Sequence, residues 1–470
     1  MISNIANILF DYEKNYDLCR LELYNRADFN RMIYKQLIYT QLSKKALRVF
    51  FCASFCFSFG IFQTSFAQTI VNSPLSYIGM GEIYPAETPS NSMMGGIGIS
   101  NSNGIYSNQM NPALLARNRY TVLEAGINAE LKNMQDYRQR QQVLGGNYQS
   151  FSLTLPMSNR WTMSFGIRPH SNVNYETKSY RRLNVLGVDS LIYGYKGTGG
   201  VSKLTMNHGV RIGKEFYIGL ETAYLFGTVS RQVSTQNLSD GQYYKIQLEN
   251  ATRYSDFSFK AGIAYRHMIK NDIFLNLGAT FDLSNQLGAT NLRRFATLDL
   301  TGLNVINSDT LEKETKFNQK IPVAQRFGIS LEKPAVWMVG VDYSRTNWTA
   351  IQNNLGRSAK LPTTSTIAFG AEYTPDFESI SNFFKRTTYR VGYSYATTPY
   401  DFAGNGRFAK DEFVSGGFAF PLRNFLNYIN ISYQFGRRGL LADNALEEQY
   451  QRVVIGLTLG DAWFQKVKLN

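Results

Sequence analysis

Cysteine is nearly absent from this chain of 470 residues. It has three, Cys19, Cys52 and Cys56, and none follows residue 56. A protein of this length without later cysteines is not held together by disulfides. Its three histidines stand far apart along the sequence and have no cysteine near them. The sequence therefore predicts no metal site, no cofactor and no enzymatic activity.

Long apolar runs are also missing beyond residue 67. None reaches the roughly 18 residues that indicate a transmembrane helix. The net charge is +14, but the basic residues stand singly along the chain. Because nucleic-acid binding usually needs a basic cluster, no nucleic-acid partner is predicted. Proline is scarce, at 12 residues, while aromatics make up 14% of the chain. This balance favours half-buried β-strands.

The first 67 residues have the order of a targeting segment. Lys44, Lys45 and Arg48 precede an uncharged apolar run at 49–62, and a small-x-small site ends at Ala67. This order predicts a secretory signal peptide at 43–67, cleaved near Ala67/Gln68. A short membrane anchor and a core helix are the alternatives. Residues 1–42 are interpreted as an over-extended or disordered N-terminus and are left out of the fold.

Strict alternation of apolar and polar residues recurs along residues 120–470. In INISYQFG, residues 429–436, apolar side chains stand at odd positions and polar residues or glycine at even ones. Roughly 14 to 16 such segments follow one another, many about ten residues long, with aromatic residues near their ends. A soluble sandwich also alternates. The signal peptide, the segment length and the aromatic positions favour an all-β fold, a transmembrane antiparallel β-barrel.

The alternation also predicts which parts of the barrel face its lumen and which lie outside the bilayer. Five charged residues fall on the polar face and are predicted to line the lumen: Arg168, Lys260, Arg266, Glu372 and Arg390. The longer polar connections are predicted to be extracellular loops: 134–147, 181–198, 229–250, 286–320 and 399–411.

Residues 68–119 do not alternate. They are rich in glycine and proline and contain the triplet Asn111-Pro112-Ala113. Proline keeps the residue before it out of the helical region, and Asn is a favourable cap, so the triplet predicts a rigid corner. About 50 residues without strand character ahead of a barrel could hang free or fill its lumen. The apolar residues among them favour a plug.

Three motifs resemble one family of outer-membrane proteins. SPLSYIGMGE at 73–82, GGIGIS at 95–100 and NPALL at 111–115 resemble the N-terminal region of FadL-type transporters of hydrophobic compounds. The pattern at 389–439 is similar to the end of that barrel in its Bacteroidetes-like branch, from Gram-negative bacteria. The resemblance implies a 14-stranded barrel with an N-terminal hatch in the lumen.

The resemblance also implies site residues, which fall into two groups. The hatch motif would comprise Asn111, Pro112, Ala113, Gly95, Gly96 and Gly98. The hatch residues that would contact ligand are Ile78, Met80, Met93, Met94, Leu114 and Leu115.

The expected function follows from the barrel and the resemblance together. It is hatch-gated transport of hydrophobic small molecules, such as long-chain fatty acids or other lipophilic compounds, with lateral release. The expected location is the outer membrane, and the expected partners are its bilayer and the ligand. One alternative is a FadL-like barrel that serves type IX secretion as a partner protein. Another is a porin for polar solutes.

Overall fold

The structure is a computed structural model. It describes residues 73–463 except 102, 186–187, 238–243, 300, 303, 350, 352–360, 402 and 423–425. The predicted signal peptide and residues 68–72 of the predicted hatch lie outside the described residues. No helix in the described part of the chain has the length and apolar character to cross a membrane.

Seventeen strands make up most of the described chain. They are β1 Glu82–Ile83, β2 Thr121–Gln135, β3 Arg140–Pro156, β4 Trp161–Val185, β5 Val188–Ile212, β6 Phe216–Asn237, β7 Tyr244–Lys270, β8 Ile273–Asp282, β9 Gln286–Asp299, β10 Val305–Lys320, β11 Val323–Lys333, β12 Trp337–Asn347, β13 Thr363–Tyr373, β14 Thr388–Thr397, β15 Lys410–Pro421, β16 Tyr428–Arg438 and β17 Glu447–Asp461. The described helices are all short: the 3-10 helices Pro74–Tyr77 and Pro112–Arg117, and the α-helices Pro89–Ser92, Phe383–Arg386 and Leu441–Asn444.

The strands close into a barrel. β2 to β8 pair in sequence, β8 pairs with β11, and β11 to β17 pair in sequence. β17 then pairs with β2, antiparallel like the other pairs. Seven strands from β2 to β8 and seven from β11 to β17 make 14 in the wall. The prediction of an antiparallel barrel of about 14 strands is confirmed.

The wall is apolar outside and polar inside. On β16, Tyr433 and Phe435 are 48% and 47% exposed, whereas Ser432 and Gln434 are fully buried. A water-soluble protein would place these residues the other way round. Because a strand alternates its side chains between two faces, one period-2 pattern supplies an apolar outer surface and a polar lumen.

One side of the barrel extends far beyond the length needed to cross a bilayer. β4, β5, β6 and β7 have 25, 25, 22 and 27 residues, where about 9–11 suffice for a span. The hairpin of β9 and β10 continues this extension, because β9 pairs with the first part of β7. The extension's core cluster contains Met80, Val173, Val201, Leu225, Val229, Tyr254, Leu287, Ala289 and Ile321.

The prediction of loops at 181–198, 229–250 and 286–320 is therefore wrong for the described residues of these ranges, which are mostly strand. The connection predicted at 134–147 is also mainly strand, since β2 and β3 pair as far as Gln135 and Arg140. These parts carry polar residues on both faces, so alternation does not mark them. Their backbone pairing with a neighbouring strand decides their structure.

Candidate functional site in the barrel lumen

Residues 73–119, here called the N-terminal segment, contact the inward face of the wall around the barrel. The 3-10 helix Pro112–Arg117 packs on β5, β6 and β7. Its Ala113 and Leu114 form an apolar cluster with Tyr217 and Ala264 of the wall. The short helix Pro89–Ser92 contacts β16 and β17. Both helices begin at proline, whose fixed φ suits the first helical position.

The Asn111-Pro112-Ala113 triplet forms a corner with hydrogen bonds in three directions. Asn111 Oδ1 accepts a hydrogen bond from Ala113 N at 3.1 Å and so caps the 3-10 helix. Its Nδ2 donates to Ile99 O at 2.8 Å, within the segment, and to Ile263 O at 3.1 Å, on the wall. A fully buried side chain thus joins two parts of the segment to β7.

Twelve wall strands each present an inward glycine to the N-terminal segment. This glycine ring comprises Gly126, Gly166, Gly209, Gly219, Gly262, Gly278, Gly328, Gly340, Gly370, Gly392, Gly417 and Gly456, and a Cβ on any of them would lie within 4 Å of the segment. Some members also pair in register, as Gly209 with Gly219 and Gly370 with Gly392 do. Because these positions carry no side chain, the segment packs directly against the backbone of the wall.

Polar wall residues hold the segment at several further points. Asp342 Oδ2 accepts hydrogen bonds from Gly98 N at 2.7 Å and Ile99 N at 2.8 Å. Charge-assisted bonds of this kind are among the stronger ones. The other points are Gln434 Nε2 to Ser92 O at 2.9 Å, Gly95 N to Ser415 Oγ at 2.8 Å, Lys260 Nζ to Met110 O at 3.1 Å and Arg438 Nη1 to Glu82 Oε1 at 2.6 Å.

The glycines predicted for the hatch motif meet close steric requirements. Gly95 and Gly96 have φ of 65° and 79°, in the left-handed region that favours glycine. Gly98 does not, but a Cβ there would lie 2.5 Å from Asn91 Nδ2. The three glycines belong to the turn that brings the segment's backbone to Asp342.

The predicted ligand-contacting residues are all buried, in separate places. Met94 packs with Met338, Met80 lies in the core of the extension, and Ile78 packs in a cluster with Tyr400. The remaining three, Met93, Leu114 and Leu115, are at most 2% exposed. None of the six lines the larger lumen cavity that the described residues enclose. Their role as ligand contacts stays a prediction.

That cavity lies between the N-terminal segment and the wall and has a volume of about 380 Å³. Its charged lining includes Arg168, Lys203, Lys260, Arg326 and Asp282. The five charged residues predicted to face inward lie on β4, β7, β13 and β14. Three of them, Arg168, Lys260 and Arg390, are at most 8% exposed. The lumen is therefore charged as well as polar.

Glu87 of the N-terminal segment also faces this cavity. Removal of its carboxylate from bulk water raises the pKa of Glu87, although Arg452 acts in the opposite direction. Its Oε2 accepts a hydrogen bond from Ser92 Oγ at 3.3 Å. The group therefore holds a proton more readily in the folded protein than in an unfolded chain.

The seam between β3 and β4 is the least paired part of the wall. Six residue pairs join the two strands, from Phe151 with Ile167 to Pro156 with Thr162. Further along, β1 of the N-terminal segment takes the edge of β4 and pairs through Glu82. A second cavity, of about 60 Å³, opens at this seam.

Sequence reasoning did not identify Asp342, Gln434, the glycine ring or the incomplete seam. The inward glycines are visible in the alternation of individual strands. Their contact with one common segment is not, because it depends on the register of each strand pair. Among the described residues, no three His, Cys, Asp or Glu side chains are grouped to hold a metal ion.

Comparison with known proteins gives one family and one fold. A family model described as BamG matches residues 47–470. No curated protein matches the chain. The P. putida toluene transporter TodX is 14% identical with a TM-score of 0.51, over 82% of this chain and 100% of that one.

Two further solved structures agree with this likeness. The CymD monoaromatic hydrocarbon channel is 13% identical, with a TM-score of 0.50 over 83% of this chain and 100% of its own. A Pseudomonas aeruginosa FadL homologue is 12% identical, with a TM-score of 0.50 over 80% of this chain and 98% of its own. The expected likeness to FadL-type barrels is confirmed at the level of the fold.

Proposed function

Since the chain belongs to the BamG family and has a FadL-type barrel, we propose that it passes hydrophobic small molecules through the outer membrane and releases them sideways through its wall. The protein reaches that membrane by its signal peptide at 43–67. The ligand enters from the side of the long strands and occupies the lumen cavity. It leaves through the seam between β3 and β4.

The seam is the observation that carries this proposal. The other neighbouring strands of the described wall pair over eight or more residues, as β8 and β11 do. An unpaired strand edge is costly in hydrocarbon, because its N–H and C=O groups have no partner there. β1 covers part of the β4 edge, and Tyr84 N donates to His170 O at 2.9 Å just beyond it.

The N-terminal segment acts in this proposal as a plug with a fixed part and a moving part. Residues 89–117 make the contacts with the glycine ring, so they close the lumen and stay in place. Residues 73–87 reach the seam, where β1 pairs with β4 over two residues. Opening the seam would require release of these two pairs, of the hydrogen bond from Tyr84 N to His170 O and of the Glu82–Arg438 ion pair, while residues 89–117 remain docked.

The test is to block the seam without touching the rest of the wall. Asn147 lines the seam cavity on the part of β3 that has left β4, so Asn147→Trp fills the space. Leu144 lies on the same strand and is 66% exposed, so Leu144→Trp is the matched control. Uptake of a monoaromatic hydrocarbon and of a medium-chain alkane is measured in a deletion strain that carries each variant at equal membrane levels.

The expected result is uptake by the parent and by Leu144→Trp, and uptake at the level of the deletion strain for Asn147→Trp. Equal uptake by both variants would show that the ligand does not leave through the seam. Equal uptake by the parent and the deletion strain would contradict the proposal of transport.

A second candidate function is that of a partner protein in type IX secretion. The observation that favours it is the extension of β4 to β7 with its hairpin, which exceeds what a transporter needs to cross a bilayer. On β10, Ile306 and Leu311 are 62% and 54% exposed, and the register of this strand pairs it with β9. Co-purification with a secretion-system barrel, lost when residues 286–320 are deleted, would support this role.

A further inference from the structure

Arg168 is a buried cation that has no ion-pair partner among the described residues. It lies on β4, faces the lumen and is 8% exposed. Its Nη1 is buried and makes no hydrogen bond with any described residue. Other buried basic residues of the lumen are paired, as Arg390 is with Glu372 at 2.9 Å and Lys132 with Glu130 at 3.3 Å.

The surroundings of Arg168 make this lack of a partner more costly. Its direct cross-strand neighbour on β5 is Lys203, also inward and 9% exposed. Like charges directly opposite each other on one face of a sheet repel. A buried charge is unfavourable unless a counter-charge and hydrogen bonds compensate it. The arrangement becomes favourable when a bound anion supplies that counter-charge.

The nearby charges leave an excess of positive charge. Lys203 and Lys260 share one carboxylate, Glu221, at 2.6 Å and 2.8 Å. Arg326 pairs with Asp282 at 3.0 Å. Within this cluster four cations, Arg168 included, face two carboxylates, which gives a net charge of +2. Two further carboxylates of the cavity lining, Glu87 and Asp342, instead accept hydrogen bonds from the N-terminal segment.

This cluster opens on the cavity of about 380 Å³, which is lined by Arg168, Lys203, Lys260, Arg326 and Asp282. The cavity's volume falls in the range of small-molecule sites, about 300–1,000 Å³. Another cation of its lining, Arg438, is already paired with Glu82 and Asp411. Space, excess charge and an unused guanidinium therefore meet at one place.

We propose that this cluster is an anion site that binds a phosphate monoester, with Arg168 as its anchor. A phosphate monoester carries about −1.5 to −2 charges near neutral pH, which balances the excess. The planar guanidinium donates to two oxygens of such a group at once. The ligand is then an amphiphile whose phosphate head sits at Arg168 while its apolar part fills the cavity. This assignment rests on the proposed function, since it adds amphiphiles with a phosphate head to the hydrophobic molecules proposed to pass through the lumen.

Calorimetric titration of the full chain, purified in a neutral detergent, tests the site. The probes are hexyl phosphate, hexyl sulfate and inorganic phosphate. Hexyl phosphate should bind saturably, and hexyl sulfate more weakly, because it is a monoanion of similar shape. Arg168→Gln should weaken hexyl phosphate binding by about tenfold or more, since one charge-assisted partner is lost. The matched control Arg253→Gln, at an exposed position of β7, should bind like the parent.

A second variant tests the site even if Arg168→Gln does not fold. Arg168→Lys keeps the charge but loses the planar fork, so it should fold like the parent and bind hexyl phosphate more weakly. Equal binding by the parent and by Arg168→Gln or Arg168→Lys would overturn the site. Equal binding of hexyl sulfate would overturn the preference for a dianion. Inorganic phosphate binding as tightly as hexyl phosphate would show a free-ion site and overturn the amphiphile.

The binding result is independent of the uptake result. Saturable binding that depends on Arg168, together with uptake that does not depend on the protein, would support the anion site and contradict transport. Uptake blocked by Asn147→Trp, together with no binding of hexyl phosphate, would keep transport and overturn the anion site.

Discussion

A single methyl group on the glycine ring should loosen the N-terminal segment. In Gly209→Ala the new Cβ would lie 2.6 Å from Pro112 O and 2.8 Å from Ala116 N. Both are backbone atoms, so no flexible side chain can move aside. Insertion of a methyl group into a filled space costs about 1–3 kcal/mol. The segment relieves this cost by leaving the wall, so the ratio of undocked to docked segment should rise about 5- to 150-fold.

Limited proteolysis measures that ratio. The Arg117 side chain is 12% exposed in the docked segment and bonded to Glu332 at 3.0 Å. Trypsin should therefore cleave after Arg117 mainly when the segment undocks, and the rate follows the open population when docking is fast relative to cleavage. Mass spectrometry separates this cut from a cut after Arg119, which is exposed. Gly209→Ala should speed the cut after Arg117 at least about fivefold.

The control is the same change at a strand glycine with free space. A Cβ on Gly416 of β15 would lie 3.6 Å from Arg390 O, which is an ordinary van der Waals distance. Trypsin should therefore cleave Gly416→Ala at the same rate as the parent. If Gly209→Ala and Gly416→Ala were cleaved at the same rate, the glycine ring would not be what holds the segment against the wall.

Three further changes probe the same contacts. Asp342→Ala leaves Gly98 N and Ile99 N without an acceptor, so urea unfolding should show a free energy of unfolding lower by about 2–4 kcal/mol; an unchanged midpoint would contradict the role of this carboxylate. Deletion of residues 74–118 should raise conductance in planar bilayers while the barrel still folds, because the segment that covers the inward glycines is then missing; conductance equal to that of the parent would contradict the proposal that this segment plugs the lumen. Glu87→Gln should raise the unfolding temperature at about pH 8 and leave it unchanged below about pH 4. Burial raises the folded pKa of Glu87, so the parent loses stability as pH rises from the unfolded value through the folded one; a difference that grows toward low pH would reverse this sign.

The part of the fold that can be read from the sequence is the part that alternation controls. β16 shows it: its outward and inward residues follow from the spacing alone, because side-chain direction in a strand has period two. The hairpin of β9 and β10 shows the limit. It has polar residues on both faces, so its sequence reads as a loop, and only pairing of β9 with β7 makes it strand.

The candidate site divides in the same way. The corner at Asn111 follows from local rules, since proline and a capping side chain act within three residues. Its bond to Ile263 O does not, because the two residues are 152 positions apart. The hydrophobic residues assigned to ligand contact come from the resemblance, and the structure places them outside the lining of the larger lumen cavity.

Residue order alone specifies strands with one apolar and one polar face and an irregular segment before the first wall strand, because each of these features is encoded locally. Strand register and closure then decide that twelve inward glycines meet that segment. They also decide that β3 pairs with β4 only from Phe151 to Pro156. They also place Arg168 opposite Lys203, with no carboxylate of its own among the described residues. These arrangements could not be read along the chain, because register and closure bring together residues from distant parts of it.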